Sequence, residues 1–259
     1  MADASWNAIG ELHRRGTPAT LSLAQSLARS ASTRKRALGL YVASQLRAGA
    51  PRGRWPSEPY AVEETQRMLL LGLNDPHFEV VRAAVSGLGH RPHADALQGL
   101  VALSRHQSAH MRWDVAVTLA GYSEPAAVEA LLQLASDEES EVRDWATFGL
   151  GTQSDADNSD IRAMLWKNAH DVDSDVRGEA LVGLARRQDP RAVSLLKSRL
   201  TDECRVYEFD AAQALKDPAL AGPLRALREA VDRETGIDPF WHAQLLAALE
   251  ACSGGPSTG

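Results

Sequence analysis

The sequence predicts an all-α protein, a right-handed α-solenoid (superhelix) of stacked antiparallel helix pairs. Two observations carry this prediction: segments of the chain recur at a nearly constant spacing, and each segment places apolar residues at a helical period. A third observation excludes a membrane-spanning fold, because the longest apolar stretch, residues 68–73, is far shorter than the roughly 18 residues that a spanning helix needs.

The recurrence is visible in two series of leucines. One series lies in the second helix of each predicted pair, at spacings of 31, 31, 34 and 31 residues: Leu88, Leu119, Leu150, Leu184 and Leu215. The other lies in the first helices, at spacings of 31, 34, 31 and 31 residues: Leu100, Leu131, Leu165, Leu196 and Leu227. Helices of about 11 residues cannot bury an apolar face alone, so the pairs must stack on one another.

The elements follow in order along residues 1–252, which we expect to form a single domain. Residues 1–60 are a divergent, basic N-terminal cap that holds two helices and a proline-rich linker around Trp55. Regular repeats occupy residues 62–231, where prolines such as Pro190 mark the first turns of helices. Residues 238–251 predict a C-terminal capping helix, and residues 253–259 a disordered tail. In the capping helix, Phe240, Leu245 and Leu249 are expected to cover the last repeat.

Charge and cysteine content narrow the class of protein. The formal charge is −6, but residues 1–60 hold nine Lys/Arg against three Asp/Glu, a net +6, and residues 61–259 hold 19 against 31, a net −12. The two ends of the chain should therefore prefer different partners. With only two cysteines and no signal-peptide pattern, a disulfide framework is excluded and a cytoplasmic location is expected.

The repeated pattern D-x-x-x-x-V-R-x-x-A-x-x-x-L is clearest in residues 137–150 and 171–184. It resembles HEAT repeats of the short bacterial type, also called PBS-lyase HEAT-like repeats. The resemblance implies that the loop aspartates cap the second helix or meet an arginine of a neighbouring repeat. We therefore interpret Asp137, Arg143, Asp171 and Arg177 as structural residues. The pattern is broken by Val81 and Glu208 at the Arg position and by His106 at the Asp position.

The resemblance also implies that the second helices line a concave surface. Two residues after the Arg position the chain carries Asp114, Trp145, Glu179 and Asp210. Five residues after the Arg position of the same repeat as Trp145, it carries Phe148. These five residues predict an acidic, aromatic-containing groove that binds a protein or peptide, one with basic side chains. The alternative is that the aromatic residues only fill gaps between helices. The sequence thus favours a non-catalytic scaffold or adaptor, without a cofactor.

Other functions have thinner support in the sequence. His90 and His93, with His106 and His110, have spacings that can present pairs of imidazoles, but we expect no metal site. Deoxyhypusine hydroxylase, a HEAT-like di-iron enzyme, uses His-Glu dipeptides, which this chain lacks. Cys204 lies beside Arg205, which could lower the pKa of the thiol, but no catalytic set accompanies it.

Two alternatives to a scaffold remain open. The PBS-lyase resemblance implies a chaperone or enzyme that handles a bilin-like chromophore. A DNA-repair role would depend on the basic N-terminal residues, although the acidic groove makes nucleic acid an unfavourable partner. The basic residues concerned are Arg29, Arg34, Lys35, Arg36, Arg47, Arg52 and Arg54.

Overall fold

A computed structural model describes residues 3–48, 58–232 and 236–254 of the chain, with side chains from residue 7 onward. All fifteen regular elements longer than five residues in these ranges are α-helices, which confirms the all-α fold. None of the helices in the described residues is long and apolar enough to cross a bilayer. Trp55 and residues 255–259, part of the predicted linker and tail, lie outside the described residues.

The helices divide between two compact units, residues 1–130 and 131–259, and the division falls within α8. Whether the chain acts as a single domain stays a prediction. The bounds are α1 (Asp3–His13), α2 (Pro18–Ala28), α3 (Thr33–Ser44), α4 (Val62–Gly72), α5 (Phe78–His90), α6 (Leu97–Leu103), α7 (Ala109–Leu119), α8 (Pro125–Leu134), α9 (Ser140–Phe148), α10 (Ser159–Asn168), α11 (Ser174–Arg186), α12 (Pro190–Arg199), α13 (Val206–Leu215), α14 (Ala221–Val231) and α15 (Pro239–Cys252).

Within each unit the second helices of successive pairs lie side by side. In unit 1, α5 packs between α3 and α7. In unit 2, α11 packs between α9 and α13, and α13 also contacts α15. We call α3, α5 and α7 the inner row of unit 1, and α9, α11, α13 and α15 the inner row of unit 2. The first helices pack against one side of each row, for example α4 on α3 and α5, and α10 on α11.

The two leucine series form the core, as the repeat predicts. All ten leucines are buried, and eight of them are at most 1% exposed. Burying a leucine side chain contributes about 2 kcal/mol, so the series supplies a large share of the folding free energy. Side-chain caps begin several helices: Asn158, Asp173, Asp189 and Asp238 each accept hydrogen bonds from backbone N–H groups in the first turn.

The longer spacing between Leu150 and Leu184 has a structural counterpart. After α9 the chain makes one π-helical turn, Gly149–Gln153, and continues in a loop to α10. The guanidinium of Arg187 donates to the carbonyls of five residues around this loop: Leu150, Gly151, Ser154, Ala156 and Gly183. A buried arginine thus satisfies backbone acceptors that the wide turn leaves without helical partners.

The final helix, α15, corrects one expectation. Leu245 is fully buried, but Phe240 is 62% exposed and does not cover the last repeat. Trp241 does so instead: its ring centroid lies 4.9 Å from that of Phe209, and its indole N–H donates to the Cys204 carbonyl at 2.8 Å. The helical phase explains the difference, because Trp241, Leu245, Ala248 and Cys252 share one face of the helix.

Candidate functional site

The loop aspartates and the inner-row arginines form ion pairs between consecutive repeats. Arg143 donates from Nε and Nη2 to both carboxylate oxygens of Asp171, each at 2.9 Å. Arg36 makes the same two-bonded contact with Asp75, at 2.7 and 3.0 Å. Paired in this way, the Arg36 guanidinium lowers the pKa of Asp75 to about 2. These side chains hold repeats together and are not open to a ligand.

The same arginines also close the loop before their own helix. Nη1 of Arg143 donates to the Asp137 carbonyl, and Nη1 of Arg177 donates to the Asp171 carbonyl, both at 2.8 Å. The Asp137 carboxylate accepts the backbone N–H of Glu139 at 3.0 Å. At the divergent position the ring of His106 accepts the N–H of Ser108 at 3.0 Å, so it replaces the aspartate in this turn.

Asp114, the first residue of the predicted groove, is buried in unit 1 and only 6% exposed. Its Oδ2 accepts a hydrogen bond from Nε of Arg82, on the preceding inner-row helix, at 2.5 Å. The structure therefore does not bring Asp114 into the same unit as the four other predicted residues. An acid at this position of α7 neutralises a neighbouring cation instead of facing solvent.

Trp145 and Phe148 lie one turn apart on α9, at the start of the inner row of unit 2. Their ring centroids are 5.6 Å apart and their planes are nearly perpendicular, at 85°. Such an edge-to-face pair is a favourable aromatic geometry, and it holds both rings in one orientation. Both side chains remain partly exposed.

Glu179 and Asp210 lie on the next two helices of this row. Glu179, on α11, is half-buried, and its pKa is raised to about 7 by desolvation and by the negative charges of Asp144 and Asp210. Asp210, on α13, is exposed, and partial desolvation of its carboxyl raises its pKa as well. The charges of Asp144 and Asp210 both act on Glu179, and none of these three carboxyl groups forms an ion pair with an arginine or lysine within the described residues. The nearby Arg205 slightly opposes the rise in the pKa of Asp144, but it pairs with Asp175 at 2.7 Å.

Asp144 belongs to the same cluster, although the repeat pattern did not predict it as a groove residue. Burial, with the charges of Asp175 and Asp173, raises its pKa to about 6. Its Oδ1 atom is buried and accepts no hydrogen bond. The signal that could have found it is its place in the repeat, since Asp144 follows Arg143 directly on the helix and occupies the position that Arg82 takes in α5.

Tyr207 completes the surroundings of the carboxylates. Its ring packs on the bare backbone of Gly178, where a Cβ atom would lie 2.2 Å from the ring. Its hydroxyl lies 3.4 Å from Asp175 Oδ1, and a hydrogen bond from Tyr207 partly opposes the rise in the pKa of Glu179. Desolvation and the nearby acids raise the pKa of Tyr207, so the phenol stays a neutral donor. We call Asp144, Trp145, Phe148, Glu179, Tyr207 and Asp210 the acidic face of unit 2.

The histidines and cysteines take other roles. The described residues contain no group of three or more His, Cys, Asp or Glu side chains that could hold a metal ion. His90 Nε2 lies 2.9 Å from Gln45 Nε2, and the ring of His93 accepts the backbone N–H of Asp95 at 3.2 Å. Cys204 is buried, and burial raises the pKa of its thiol to about 12, opposite to the direction expected from Arg205.

The basic N-terminal residues are not all available to a partner. Arg36 is held by Asp75, whereas Arg34 and Lys35 are exposed at the start of α3. Arg52 and Arg54 lie outside the described residues. The division of the chain separates the charges: unit 1 holds 14 Lys/Arg and 11 Asp/Glu, a net +3, and unit 2 holds 14 and 23, a net −9.

The chain is similar in sequence to two sets of known proteins. The family described as HEAT repeats matches residues 67–151 and 128–216, which together are more than half of the chain. Protein YibA of Escherichia coli K12 and its counterpart in strain O157:H7 are each 33% identical over 116 residues. That match covers 44% of this chain and 41% of YibA, so it spans less than half the length of these curated relatives.

Known structures resemble the fold over a longer stretch. The X-ray structure of YibA from Escherichia coli aligns with a TM-score of 0.68 at 21% identity, covering 94% of this chain and 85% of YibA. The complex of CpcE and CpcF of phycocyanin lyase from Nostoc sp. PCC7120 aligns with a TM-score of 0.51 at 18% identity, covering 92% of this chain and 96% of that one. At these identities the likeness concerns the fold alone.

Proposed function

The chain belongs to the HEAT-repeat family, and from this premise we propose that it is a binding protein whose acidic face in unit 2 holds a basic segment of a partner protein. The observation that carries the proposal is the set of carboxyl groups on three neighbouring helices, Asp144, Glu179 and Asp210, which are partly desolvated and form no ion pair within the described residues. A lysine or arginine side chain supplies the missing charge.

The electrostatics favour a cation strongly at this position. Raised pKa values mean that the folded protein disfavours the ionised carboxylates, because each is desolvated and repelled by its neighbours. A bound ammonium or guanidinium group would reverse both effects. Its N–H groups would then donate charge-assisted hydrogen bonds to the accessible carboxylate oxygens.

The aromatic side chains add contact area and a second means of holding a cation. Trp145 and Phe148 are already locked in an edge-to-face pair, so binding costs little side-chain entropy. Aromatic rings beside carboxylates suit the aliphatic stem and the charged end of lysine or arginine. Nucleic acid is a poor alternative for this unit, because its net charge of −9 repels phosphate.

A peptide-binding experiment tests this proposal. We expect a fluorescein-labelled peptide rich in lysine and arginine to bind the full-length protein, with an affinity that falls as salt is added, whereas a glutamate-rich peptide does not bind. Glu179→Gln combined with Asp144→Asn should weaken binding about tenfold or more, as should Trp145→Ala. Fluorescence anisotropy measures each affinity.

The control is Asp202→Asn, which removes one negative charge from an exposed loop of the same unit. It should change the affinity by less than about twofold, since an exposed charge away from the site is screened. If Asp202→Asn and the double variant weakened binding equally per charge removed, net charge alone would attract the peptide. The proposed face would then be wrong. Circular dichroism verifies that each variant remains folded.

A further inference from the structure

A cavity lies in unit 1, between the inner-row helices α3 and α5. Its volume is about 830 Å³, within the range of roughly 300–1,000 Å³ that is typical of small-molecule sites. Helical spacing puts Arg34, Leu38 and Tyr41 on one face of α3, and Phe78 and Arg82 on the facing part of α5. All of these residues belong to unit 1.

The walls of the cavity are apolar and aromatic. Leu38 is half-buried and packs against the hydrophobic core of this unit. Phe78 is 38% exposed although it is a large apolar side chain, and its ring lies 5.6 Å from that of His106 and 5.9 Å from the guanidinium carbon of Arg82. Tyr41 is half-buried, and burial raises the pKa of its hydroxyl group. Rings held in this way offer flat contact surfaces to a flat ligand.

Two arginines border the same cavity: Arg34 carries a charge that is unpaired within the described residues, and the charge of Arg82 is balanced by Asp114. Arg34 is exposed and makes no hydrogen bond or ion pair with the residues that the structure describes. Arg82 uses Nε for Asp114, but its two terminal nitrogens donate no hydrogen bond within the described part of the chain. Glu79 is the one acid among the lining residues and is exposed at the rim. Arginine binds carboxylate, sulfonate and phosphate groups well because its donors are arranged in a planar fork.

We propose that this cavity binds a small organic anion with a flat aromatic body, whose acidic group pairs with Arg34 and Arg82 while its rings lie against Leu38, Tyr41 and Phe78. Both parts of the ligand follow from the lining, because the walls offer apolar area and the cations offer hydrogen-bond donors. The volume suits a small molecule rather than a nucleic acid duplex. This site goes beyond the acidic face, which lies in the other unit and attracts the opposite charge.

The inner rows explain why the two units differ. Arg82 of α5 and Asp144 of α9 occupy the same position of the repeat, directly after the Arg position held by Val81 and Arg143. This position therefore holds a guanidinium group in unit 1, whose charge Asp114 balances, and a carboxyl group without an ion pair in the described part of unit 2. Among the described residues, the unpaired charges at the two sites are those of Arg34 in unit 1 and of the acids in unit 2.

Anilinonaphthalene sulfonate is a suitable probe, because it is an aromatic anion that fluoresces when its surroundings become apolar. We expect saturable binding of one probe molecule to the full-length native protein. Phenylnaphthylamine, the same aromatic frame without the sulfonate, should bind about tenfold more weakly, and added salt should weaken only the anionic probe. Equal affinities for the two probes would overturn the proposal, because the arginines would then contribute nothing.

Variants locate the probe. Arg34→Gln should weaken binding of the anionic probe about fivefold, whereas Glu79→Gln should strengthen it about twofold, since one removes an attractive charge and the other a repulsive charge. Lys35→Gln is the matched control: Lys35 is exposed beside Arg34 but does not line the cavity, so affinity should stay unchanged. Phe78→Ala should weaken both probes.

Other outcomes of these measurements would contradict the proposed ligand. Equal effects of Arg34→Gln and Lys35→Gln would indicate nonspecific attraction to the basic surface. Displacement of the probe by a glutamate-rich peptide, but not by naphthalene carboxylates, would assign the cavity to an acidic protein segment instead. Arg34 is exposed and forms no hydrogen bond or ion pair among the described residues, so Arg34→Gln should fold normally, and a thermal unfolding curve verifies this.

Discussion

At the scale of single residues, the inner rows contain carboxylates of two kinds. Asp75, Asp171 and Asp114 each form an ion pair with an arginine of the preceding inner-row helix, and these pairs stabilise the packing of the repeats. Asp144 and Glu179 have no such partner, and their charges cost free energy in the folded state. The difference separates structural acids from acids that are available to a ligand.

This difference predicts how Glu179 affects stability as pH changes. Its pKa is raised from 4.5 to about 7 in the folded protein, so the folded state retains a proton that the unfolded state has already lost. Stability should therefore fall as pH rises from about 4.5 to about 7, and the loss should persist above that range. Glu179→Gln removes the penalty, so it should stabilise the protein by about 1 kcal/mol at about pH 8 and by much less at about pH 4.

Urea denaturation at the two pH values measures this effect. Glu203→Gln, a matched change at an exposed loop residue of unit 2, serves as the control. If Glu179→Gln altered stability equally at both pH values, the carboxyl would titrate normally. The acidic face would then lack the repulsion on which the proposed function depends.

The residue scale is also where the sequence was least informative. The repeat pattern predicted Glu179 and Asp210 as groove residues, which stays a prediction, but it could not tell that Arg82 reaches Asp114. It also passed over Asp144, because that residue lies between Arg143, a structural arginine, and Trp145, a predicted contact residue. Which acid is neutralised depends on side chains from a neighbouring repeat, and the local pattern does not contain them.

At the scale of helices, the sequence was far more informative. The helical period predicted α5, α9, α11 and α13, because ten leucines at a regular spacing leave few other ways to bury them. For α15 the prediction that Phe240 faces inward was wrong. This helix lies outside the repeat, and its sequence allows either Phe240 or Trp241 to face inward. The period thus settles the register of repeating helices but not that of a capping helix.

Close packing between elements gives a prediction for two glycines of unit 2. A Cβ atom on Gly183 of α11 would lie 2.7 Å from the Gly151 Cα, so Gly183→Ala forces backbone segments apart and should destabilise the protein by about 2 kcal/mol. On Gly222 of α14 a Cβ atom would meet nothing within 4 Å. Gly222→Ala should therefore change stability by less than about 0.5 kcal/mol, because the helix propensity of alanine is offset by the contact of its Cβ with the ring of Pro223 that follows.

Urea denaturation of both glycine variants gives the comparison, and circular dichroism verifies their helix content. The two substitutions add the same methyl group within α-helices, so a large loss of stability for Gly183→Ala alone would isolate the effect of the neighbouring backbone. A neutral or stabilising Gly183→Ala would mean that α11 and the turn at Gly149–Gln153 do not pack as closely as described.

At the scale of the whole molecule, the net charge differs between the two units. Unit 1 has a net charge of +3 and a cavity bordered by arginines, and unit 2 has a net charge of −9 and a face of unneutralised acids. The sequence indicated this asymmetry through its basic first 60 residues and acidic remainder. It did not indicate the cavity of unit 1, because Arg34 and Arg82 are far apart in sequence and belong to different repeats.

Because the two proposed sites lie in separate units and attract opposite charges, they should be occupied independently. We expect a saturating concentration of anilinonaphthalene sulfonate to leave the affinity for the basic peptide unchanged within about twofold. Fluorescence anisotropy with and without the probe measures this, and a titration of the probe with peptide alone corrects for direct pairing. Strong competition would mean that the two ligands share one site.

The π-helical turn Gly149–Gln153 and its arginine have a consequence for how such chains change in length. The repeat that contains them has three more residues than its neighbours. The guanidinium of Arg187 donates hydrogen bonds to the backbone carbonyl groups of this longer segment. The extra length thus lies in a loop whose carbonyl groups already have a hydrogen-bond donor. Insertions and deletions during evolution should concentrate in this loop, and a protein engineer seeking a place to graft a foreign loop should begin between Thr152 and Asn158, provided that Arg187 is kept.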